Sequence, residues 1–172
     1  RERRFDENPS TVGQEIELNL TDEHGMPSMR NAAALAAIAS PAWDTEVGQF
    51  NLEINVPPRM LDGDSLDRLE TELRADLNAA DGRARTVGSH LVMVGILPTL
   101  SEQDVHEDSM SANERYKVLN EQIFAARGED MRIEIDGAEQ LLTHMDSITP
   151  ESACTSVQLH VQVSPDSFAN HW

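Results

Sequence analysis

The sequence is short of several residue types, and each shortage excludes a class of protein. Cys154 is the only cysteine among 172 residues, so no disulfide can form within the chain and a reducing, cytoplasmic location is expected. We expect Cys154 to be a small buried hydrophobe, because no local feature would activate its thiol. No run of about 18 apolar residues occurs, and none follows the basic residues 1–10, so neither a membrane span nor a secretory signal is expected.

Positive charge and aromatic side chains are also scarce. The chain has 13 lysines and arginines against 31 aspartates and glutamates, which gives a formal net charge of -18. A surface of this sign repels phosphate backbones, so no nucleic-acid partner is expected. Aromatic residues make up 4% of the chain, so the core must be built from aliphatic side chains. The glycine-rich phosphate-binding motifs and the zinc motif HExxH are missing as well.

Three segments alternate between apolar and polar residues, which predicts strands with one buried face. They cover residues 11–21, 46–56 and 154–164, and Pro57-Pro58 is expected to end the second. Their polar faces carry Glu, Gln, Asn and His but no Lys or Arg. The expected dry face of the third strand comprises Val157, Leu159, Val161 and Val163.

Apolar residues three or four positions apart predict two clear helices. The first follows the N-cap candidate Asp64, and the second covers residues 114–126 and ends at Gly128. The residues expected to face inward are Leu66, Leu69, Leu73, Leu77 and Ala80 in the first, and Tyr116, Leu119, Ile123 and Ala126 in the second. The other expected elements are a short helix over residues 30–40, a strand buried on both faces over residues 90–97, and a hairpin over residues 131–142. The fold class is therefore α+β, with an antiparallel sheet and helices on one face.

Glutamates on the first two strands are the first candidates for chemistry. Glu15 and Glu17 are two positions apart, so they share a face with Cβ atoms about 7 Å apart. Their charges repel unless a cation lies between them, and Mg²⁺ or Mn²⁺ prefers such oxygen ligands. Glu53 lies on the polar face of the second strand, whereas Glu46 reaches that face only if a bulge forms near Gly48. Exposed glutamates screened by salt also explain the pattern.

The last strand and the second clear helix supply further candidates. His160 lies in the middle of its strand between Gln158 and Gln162, either as a hydrogen-bonded structural residue or as a ligand of a metal or phosphate. Arg115 could hold a carboxylate through two hydrogen bonds. A surface arginine beside a core Tyr116 explains that pair as well.

Five segments, in this order, resemble the first half of a glutamate–cysteine ligase. They are GQEIELN, TEVGQFNLEINVPPR, GILPTL, ERYKVLNEQIFAARG and ACTSVQLHVQVSP. The family is shared by plants and many bacteria and includes other carboxylate–amine ligases. The resemblance covers residues 11–172, and residues 1–10 are expected to be a disordered or extended terminus. Both ends of the sequence look cut, so we expect a piece of a longer protein.

The resemblance implies an enzyme that joins the γ-carboxylate of glutamate to the amine of cysteine, with ATP as co-substrate and Mg²⁺ or Mn²⁺ as cofactor. It implies a curved antiparallel sheet that forms a funnel and is related to glutamine synthetase. By resemblance, the metal ligands are Glu15, Glu17, Glu46, Glu53 and His160, and the substrate-binding residues are Arg115, Tyr116, Gln158 and Gln162. A further metal-binding acid and most basic contacts to ATP would come from outside this chain, so the chain alone is expected to be inactive.

Three other functions fit the same residues. A carboxylate–amine ligase of different specificity would use the same metal cluster with another acid or amine. A non-catalytic interaction module would bind divalent cations without reacting. An acidic scaffold would leave its strand-face carboxylates fully solvated.

Overall fold

The alternation of apolar side chains along the first strand produces a sheet with a helix-covered face and a polar face. The computed structural model describes residues 11–172, so the terminus expected at residues 1–10 lies outside the described part. The strands are β1 Thr11–Thr21, β2 Trp43–Thr45, β3 Asn51–Met60, β4 His90–Val92, β5 Met131–Asp136, β6 Gln140–Met145 and β7 Val157–Val161. The helices are α1 Asn31–Ile38, α2 Ser65–Ala84, α3 Glu114–Arg127 and α4 Phe168–His171. Short 3-10 helices cover Arg85–Val87, Glu102–Asp104, Glu107–Ser109 and Thr149–Ala153.

The main sheet is antiparallel and is built around β1. The strand order is β2-β3-β1-β4, and β7 also pairs with β1. Because β3 occupies one edge of β1, β4 and β7 share the other edge, β4 at residues 19–21 and β7 at residues 12–16. Strands β5 and β6 form a separate hairpin. The expected α+β fold with an antiparallel sheet is confirmed.

The core lies between one face of the sheet and two helices. Ile16, Leu18 and Leu20 are buried at alternate positions of β1, and Leu52 and Ile54 continue this face on β3. From α1 and α2, the core receives Ala34, Ile38, Ala80 and Ala84. Helices therefore cover one face of the sheet, and Glu15 and Glu17 point to the other.

The expected end of the second strand at Pro57-Pro58 is wrong. Strand β3 begins at Asn51 and continues through both prolines to Met60. Between Val12 and Gln14 of β1 the pairing register shifts, and the prolines lie opposite this irregularity. Proline cannot donate a hydrogen bond to a neighbouring strand, so a break in the ladder accommodates the pair without losing a bond.

The two other strand predictions fail in part. Strand β4 covers only three residues, and Met93 and Ile96 beyond it are exposed, so it is not buried on both faces. The dry face expected for β7 is also wrong, because Val157, Leu159 and Val161 are all more than half exposed. Helices α1 and α2 cover β1 and β3, and no described element covers this side of β7.

The positions of helices α2 and α3 were predicted correctly, but several residues expected on their buried faces are exposed. Helix α2 follows Asp64 as expected, but Leu66 is exposed. Helix α3 ends at Gly128, whose φ of 72° is readily adopted only by glycine. Its Tyr116 is buried, whereas Leu119 and Ile123 are exposed. Apolar spacing therefore identified these helices without identifying which of their residues meet a partner.

Two leucines on paired strands should differ sharply in their contribution to stability. Leu18 on β1 is 2% exposed and Leu159 on β7 is 65% exposed. We expect Leu18→Ala to lower the free energy of unfolding by about 2–5 kcal/mol, and Leu159→Ala to change it by about 0.5 kcal/mol or less. Urea unfolding monitored by circular dichroism measures both. Equal losses would show that β7 is covered in solution.

Candidate functional site

The pairing of β1 with β3 places two glutamates side by side on the polar face. Glu17 and Glu53 are direct partners in this register, and the Cβ atoms of such partners lie about 4.5–5.5 Å apart. Asn55 donates a hydrogen bond to the Glu53 carboxylate over 2.7 Å. The prediction that both strands present these acids on one face therefore agrees with the register.

Glu46 joins the pair by a route other than the expected bulge. The chain leaves the sheet after Thr45 and re-enters it at Asn51, so Glu46 lies in the connection between β2 and β3. The bulge near Gly48 in a continuous strand is thus a wrong prediction. One carboxylate oxygen each from Glu17, Glu46 and Glu53 nevertheless lie within 4.8 Å of one another. We call these three residues the carboxylate cluster.

Buried polar side chains hold the connection that carries Glu46. The Asn31 side-chain amide donates to Ser111 Oγ over 2.7 Å and to the Gly48 carbonyl over 3.2 Å. Ser111 in turn donates from its hydroxyl to the Glu46 carbonyl and from its backbone N–H to the Val47 carbonyl. Asn31 and Ser111 are both buried, so these bonds are shielded from water. Sequence reasoning missed both residues, since neither lies in a recognisable pattern.

Gly48 allows the connection to pack closely. A Cβ atom at this position would lie 2.6 Å from Asn51 Oδ1 and 2.9 Å from both Cβ and Oγ of Ser152. These distances are shorter than a van der Waals contact, so any side chain would force the segments apart. The glycine thereby keeps Glu46 next to β3.

Residues of β7 and the segment before it bind Glu17. The Ser156 backbone N–H donates to one carboxylate oxygen over 2.9 Å, and Ser156 Oγ and Gln158 Nε2 donate to the other over 3.1 Å each. Three hydrogen bonds therefore fix the orientation of this carboxylate. Ser156 lies two residues before Gln158, so alternation puts both on one face, but the contact of Ser156 with Glu17 could not be predicted from sequence.

The two remaining predicted metal ligands form a separate pair. His160 Nε2 lies 3.2 Å from a Glu15 carboxylate oxygen. Both side chains lie on the polar face, next to the carboxylate cluster along β1 but not within it. Gln162 accepts a hydrogen bond from Thr11 Oγ1 over 2.9 Å. Thus Gln158 contacts the cluster, whereas Gln162 contacts the opposite end of β1.

Arg115 and Tyr116 lie at the start of α3. The buried Tyr116 hydroxyl donates to the Thr45 carbonyl over 2.9 Å, one residue before Glu46. Burial, followed by the negative charge of Glu46, raises the Tyr116 pKa to about 12. The Arg115 guanidinium lies 5.7 Å from the centre of the Tyr116 ring. Tyr116 therefore supports the end of β2 through a hydrogen bond, and its hydroxyl proton is not available to donate to a substrate.

A cavity of about 290 Å³ opens beside the carboxylate cluster. Its lining consists of Glu17, Glu46, Val47, Asn51, Glu151, Ser152, Cys154, Thr155 and Ser156. Cys154 lines this cavity and is exposed, so its expected role as a buried hydrophobe is wrong. The segment that carries it runs along the site instead of through the core.

The donor chemistry of the cluster fits a hard divalent cation. Carboxylate oxygens are the ligands that Mg²⁺ and Mn²⁺ prefer, and these three could reach one ion. Without a cation, burial followed by the charge of Glu53 raises the Glu46 pKa to about 7. Ionisation of Glu46 therefore destabilises the metal-free fold, and a cation bound by the cluster would offset this cost.

A known protein family matches almost all of the described chain. Residues 11–169 match the model of glutamate-cysteine ligase family 2. The chain belongs to this family. No curated protein and no solved structure matches it, so the expected relation of the fold to glutamine synthetase stays a prediction.

Membership of glutamate-cysteine ligase family 2 indicates a ligase-like enzyme that acts on small molecules and is connected with glutathione biosynthesis. Among residues 11–172, no helix is both long enough and apolar enough to cross a membrane. Within the described residues, the carboxylate cluster is the group of acidic side chains whose oxygens could hold a metal ion.

The raised pKa of Glu46 predicts how stability depends on pH. In the metal-free fold this carboxyl has a pKa of about 7, whereas in the unfolded chain its pKa is the ordinary glutamate value of 4.5. The unfolded chain therefore loses this proton first, and the stability of the wild-type chain should fall as pH rises from about 4.5 to about 7. We expect Glu46→Gln to remove this loss, so the variant gains stability relative to the wild type across that range.

Urea unfolding of the metal-free chain at a series of pH values measures this difference. Glu121→Gln is the matched control, because Glu121 is an exposed acid on α3 outside the carboxylate cluster. If the free energy of unfolding changed with pH in the same way in the wild type and in Glu46→Gln, the prediction would be contradicted.

Proposed function

We propose that the chain forms the metal-binding side of an ATP-dependent ligase that joins the γ-carboxylate of glutamate to an amine, with cysteine as the expected amine. The observation that carries this proposal is the convergence of Glu17, Glu46 and Glu53 from three separate segments in a member of glutamate-cysteine ligase family 2. Like charges about 4 Å apart repel by about 1 kcal/mol in water and about 4 kcal/mol near a protein surface. A bound cation would turn this repulsion into attraction.

Mg²⁺ or Mn²⁺ would neutralise the negative charge of ATP phosphates and of the attacking carboxylate, which otherwise repel each other. In this proposal Glu17, Glu46 and Glu53 would hold one ion. Glu15 and His160 lie next to them on the same face, and they would add ligands once their contact with each other opens. The hydrogen bonds from Ser156 and Gln158 would keep the Glu17 carboxylate oriented toward the ion.

The chain's other residues would position substrates. Gln158 is close enough to Glu17 to present its amide to a substrate beside the cluster. Arg115 is exposed and could hold a substrate carboxylate, while Tyr116 would act only through its support of β2. Transfer of the γ-phosphoryl group of ATP to the glutamate carboxylate would give an acyl phosphate and ADP. Attack by the neutral amine would then form the amide and release phosphate and a proton.

One observation favours a second function, a non-catalytic module that binds divalent cations. Within the described part of the chain, neither lysine nor arginine lines the cavity beside the cluster. A triphosphate would therefore meet no fixed positive charge there. Such a module would bind metal without releasing phosphate.

Metal binding can be tested directly on this chain. We expect Glu17→Gln and Glu53→Gln each to weaken Mn²⁺ binding by about tenfold or more, because each removes one charged oxygen ligand. Electron paramagnetic resonance titration of free Mn²⁺ measures the affinity. Glu121→Gln serves as the control and should bind as the wild type does. Equal affinity in all four proteins would reject the assignment of the metal site.

Catalysis requires a separate measurement on the full-length natural protein. With Mg²⁺, ATP and glutamate, we expect phosphate release that depends on an added amine, and Glu53→Gln should lower kcat by about a hundredfold or more. Each candidate amine, beginning with cysteine, is added in turn. Metal binding without phosphate release for any amine would favour the non-catalytic module.

A further inference from the structure

Helix α3 is attached to the rest of the domain through two polar side chains. Of its 14 residues, the buried ones are Tyr116 and Asn120, whereas the apolar Leu119 and Ile123 are exposed. Tyr116 and Asn120 are four positions apart, so they lie on the same face of the helix. The position of α3 therefore depends on the contacts that these two side chains make.

Tyr116 connects α3 to the backbone on one side of Glu46. Its hydroxyl donates a hydrogen bond to the Thr45 carbonyl over 2.9 Å. Thr45 is the last residue of β2 and directly precedes Glu46. The hydrogen bond therefore fixes the point at which the chain leaves the sheet and enters the connection that carries Glu46.

Asn120 connects α3 to the 3-10 helix Thr149–Ala153. Its side-chain oxygen accepts a hydrogen bond from the Ile148 backbone N–H over 2.9 Å, and the two residues are 28 positions apart in sequence. The Ile148 carbonyl accepts from the Glu151 backbone N–H over 3.0 Å. Both backbone groups of Ile148 are thus bonded, and Ile148 itself is buried. Asn120 therefore anchors the start of this 3-10 helix.

The 3-10 helix packs against the backbone on the other side of Glu46. Gly48 follows Glu46 by two residues, and a Cβ atom at Gly48 would lie 2.9 Å from both Cβ and Oγ of Ser152. The Ser152 hydroxyl donates to the Thr149 carbonyl, so its orientation is fixed within the 3-10 helix. Through Tyr116 and Asn120, α3 therefore holds the chain both before and after Glu46.

Glu46 needs such support because its neighbours repel it. Its carboxylate lies within 4.8 Å of those of Glu17 and Glu53, and like charges this close favour a conformation in which Glu46 turns away. A ligand that must be brought back into place lowers metal affinity, since the cost of ordering it is subtracted from the binding energy.

We infer that Tyr116 and Asn120 are positioning residues, which keep Glu46 in the carboxylate cluster and thereby raise the affinity of the cluster for a divalent cation. This inference rests on the proposed function, because it concerns the same metal site. Neither side chain contacts the metal in this arrangement. Each acts through the backbone that carries Glu46.

Single variants measure the contribution of each contact. Tyr116→Phe removes only the hydroxyl, and Asn120→Leu removes the acceptor for the Ile148 N–H. We expect each to weaken Mn²⁺ binding about three- to tenfold, below the roughly 10–100-fold typical of groups that contact a metal ligand directly. Asn120→Asp keeps an oxygen acceptor and should bind Mn²⁺ within about twofold of the wild type. Gln122→Leu, the same amide-to-leucine change at an exposed position of α3, should bind as the wild type does.

Double variants separate the positioning of Glu46 from a general loosening of the fold. In Glu46→Gln, we expect Asn120→Leu and Tyr116→Phe to change Mn²⁺ affinity by less than about twofold, because the carboxylate that they position is gone. In Glu53→Gln, the same changes should keep their full effect. Equal effects in the two backgrounds would overturn the inference. If Asn120→Leu does not fold by circular dichroism, Tyr116→Phe alone decides the comparison.

Electron paramagnetic resonance titration with Mn²⁺ also separates this inference from the proposed function. Wild-type affinity in Tyr116→Phe and Asn120→Leu, together with weakened binding in Glu53→Gln, would reject only the positioning role. Failure of the wild-type chain to bind Mn²⁺ would reject the metal site and the positioning role together.

Discussion

The mutual repulsion of Glu17, Glu46 and Glu53 is the constraint around which this part of the structure is organised. Three carboxylates within 4.8 Å of one another would separate unless the surrounding fold held them. The register of β1 and β3 holds two of them, since Glu17 and Glu53 are direct partners. Hydrogen bonds from Ser111 hold the third through the backbone at Glu46. Burial, followed by the charge of Glu53, raises the pKa of Glu46 at this position.

The same alternation in β1 produces both the core and the site. Ile16 and Leu18 pack against the helices, and Glu15 and Glu17 between and beside them point the other way. A shift of one residue in the pairing would place the glutamates in the core. Burial of the leucines and isoleucines therefore fixes the position of the carboxylates more firmly than any contact among the carboxylates could.

How much could be predicted from sequence depended on the range of the interactions. The local alternation of β1 correctly placed Ile16, Leu18, Glu15 and Glu17, because period two alone determines the face. The convergence of Glu46 was inferred from a resemblance, and the local mechanism offered for it, a bulge, was wrong. The strand is interrupted between β2 and β3. The connecting segment is held by a hydrogen bond from Ser111 to the Glu46 carbonyl, and Ser111 lies 65 residues from Glu46 in sequence. The prediction that the apolar residues of β7 are buried failed for a related reason. Alternation predicts which residues share a face of a strand, but not whether another element covers that face.

Neutral amides are better suited than further acids to support such a cluster. An aspartate at position 19 or 51 would add negative charge beside three carboxylates, and its own burial would be costly. Asparagine presents a donor and an acceptor on one rigid group. The Asn19 side-chain nitrogen donates to the Val94 carbonyl, and the Asn51 side-chain nitrogen donates to Asn19 Oδ1, so both side chains are oriented without a charge. Neither side chain adds a charge beside Glu17, Glu46 and Glu53. The fold can therefore build a strongly acidic site from buried groups of which most are uncharged.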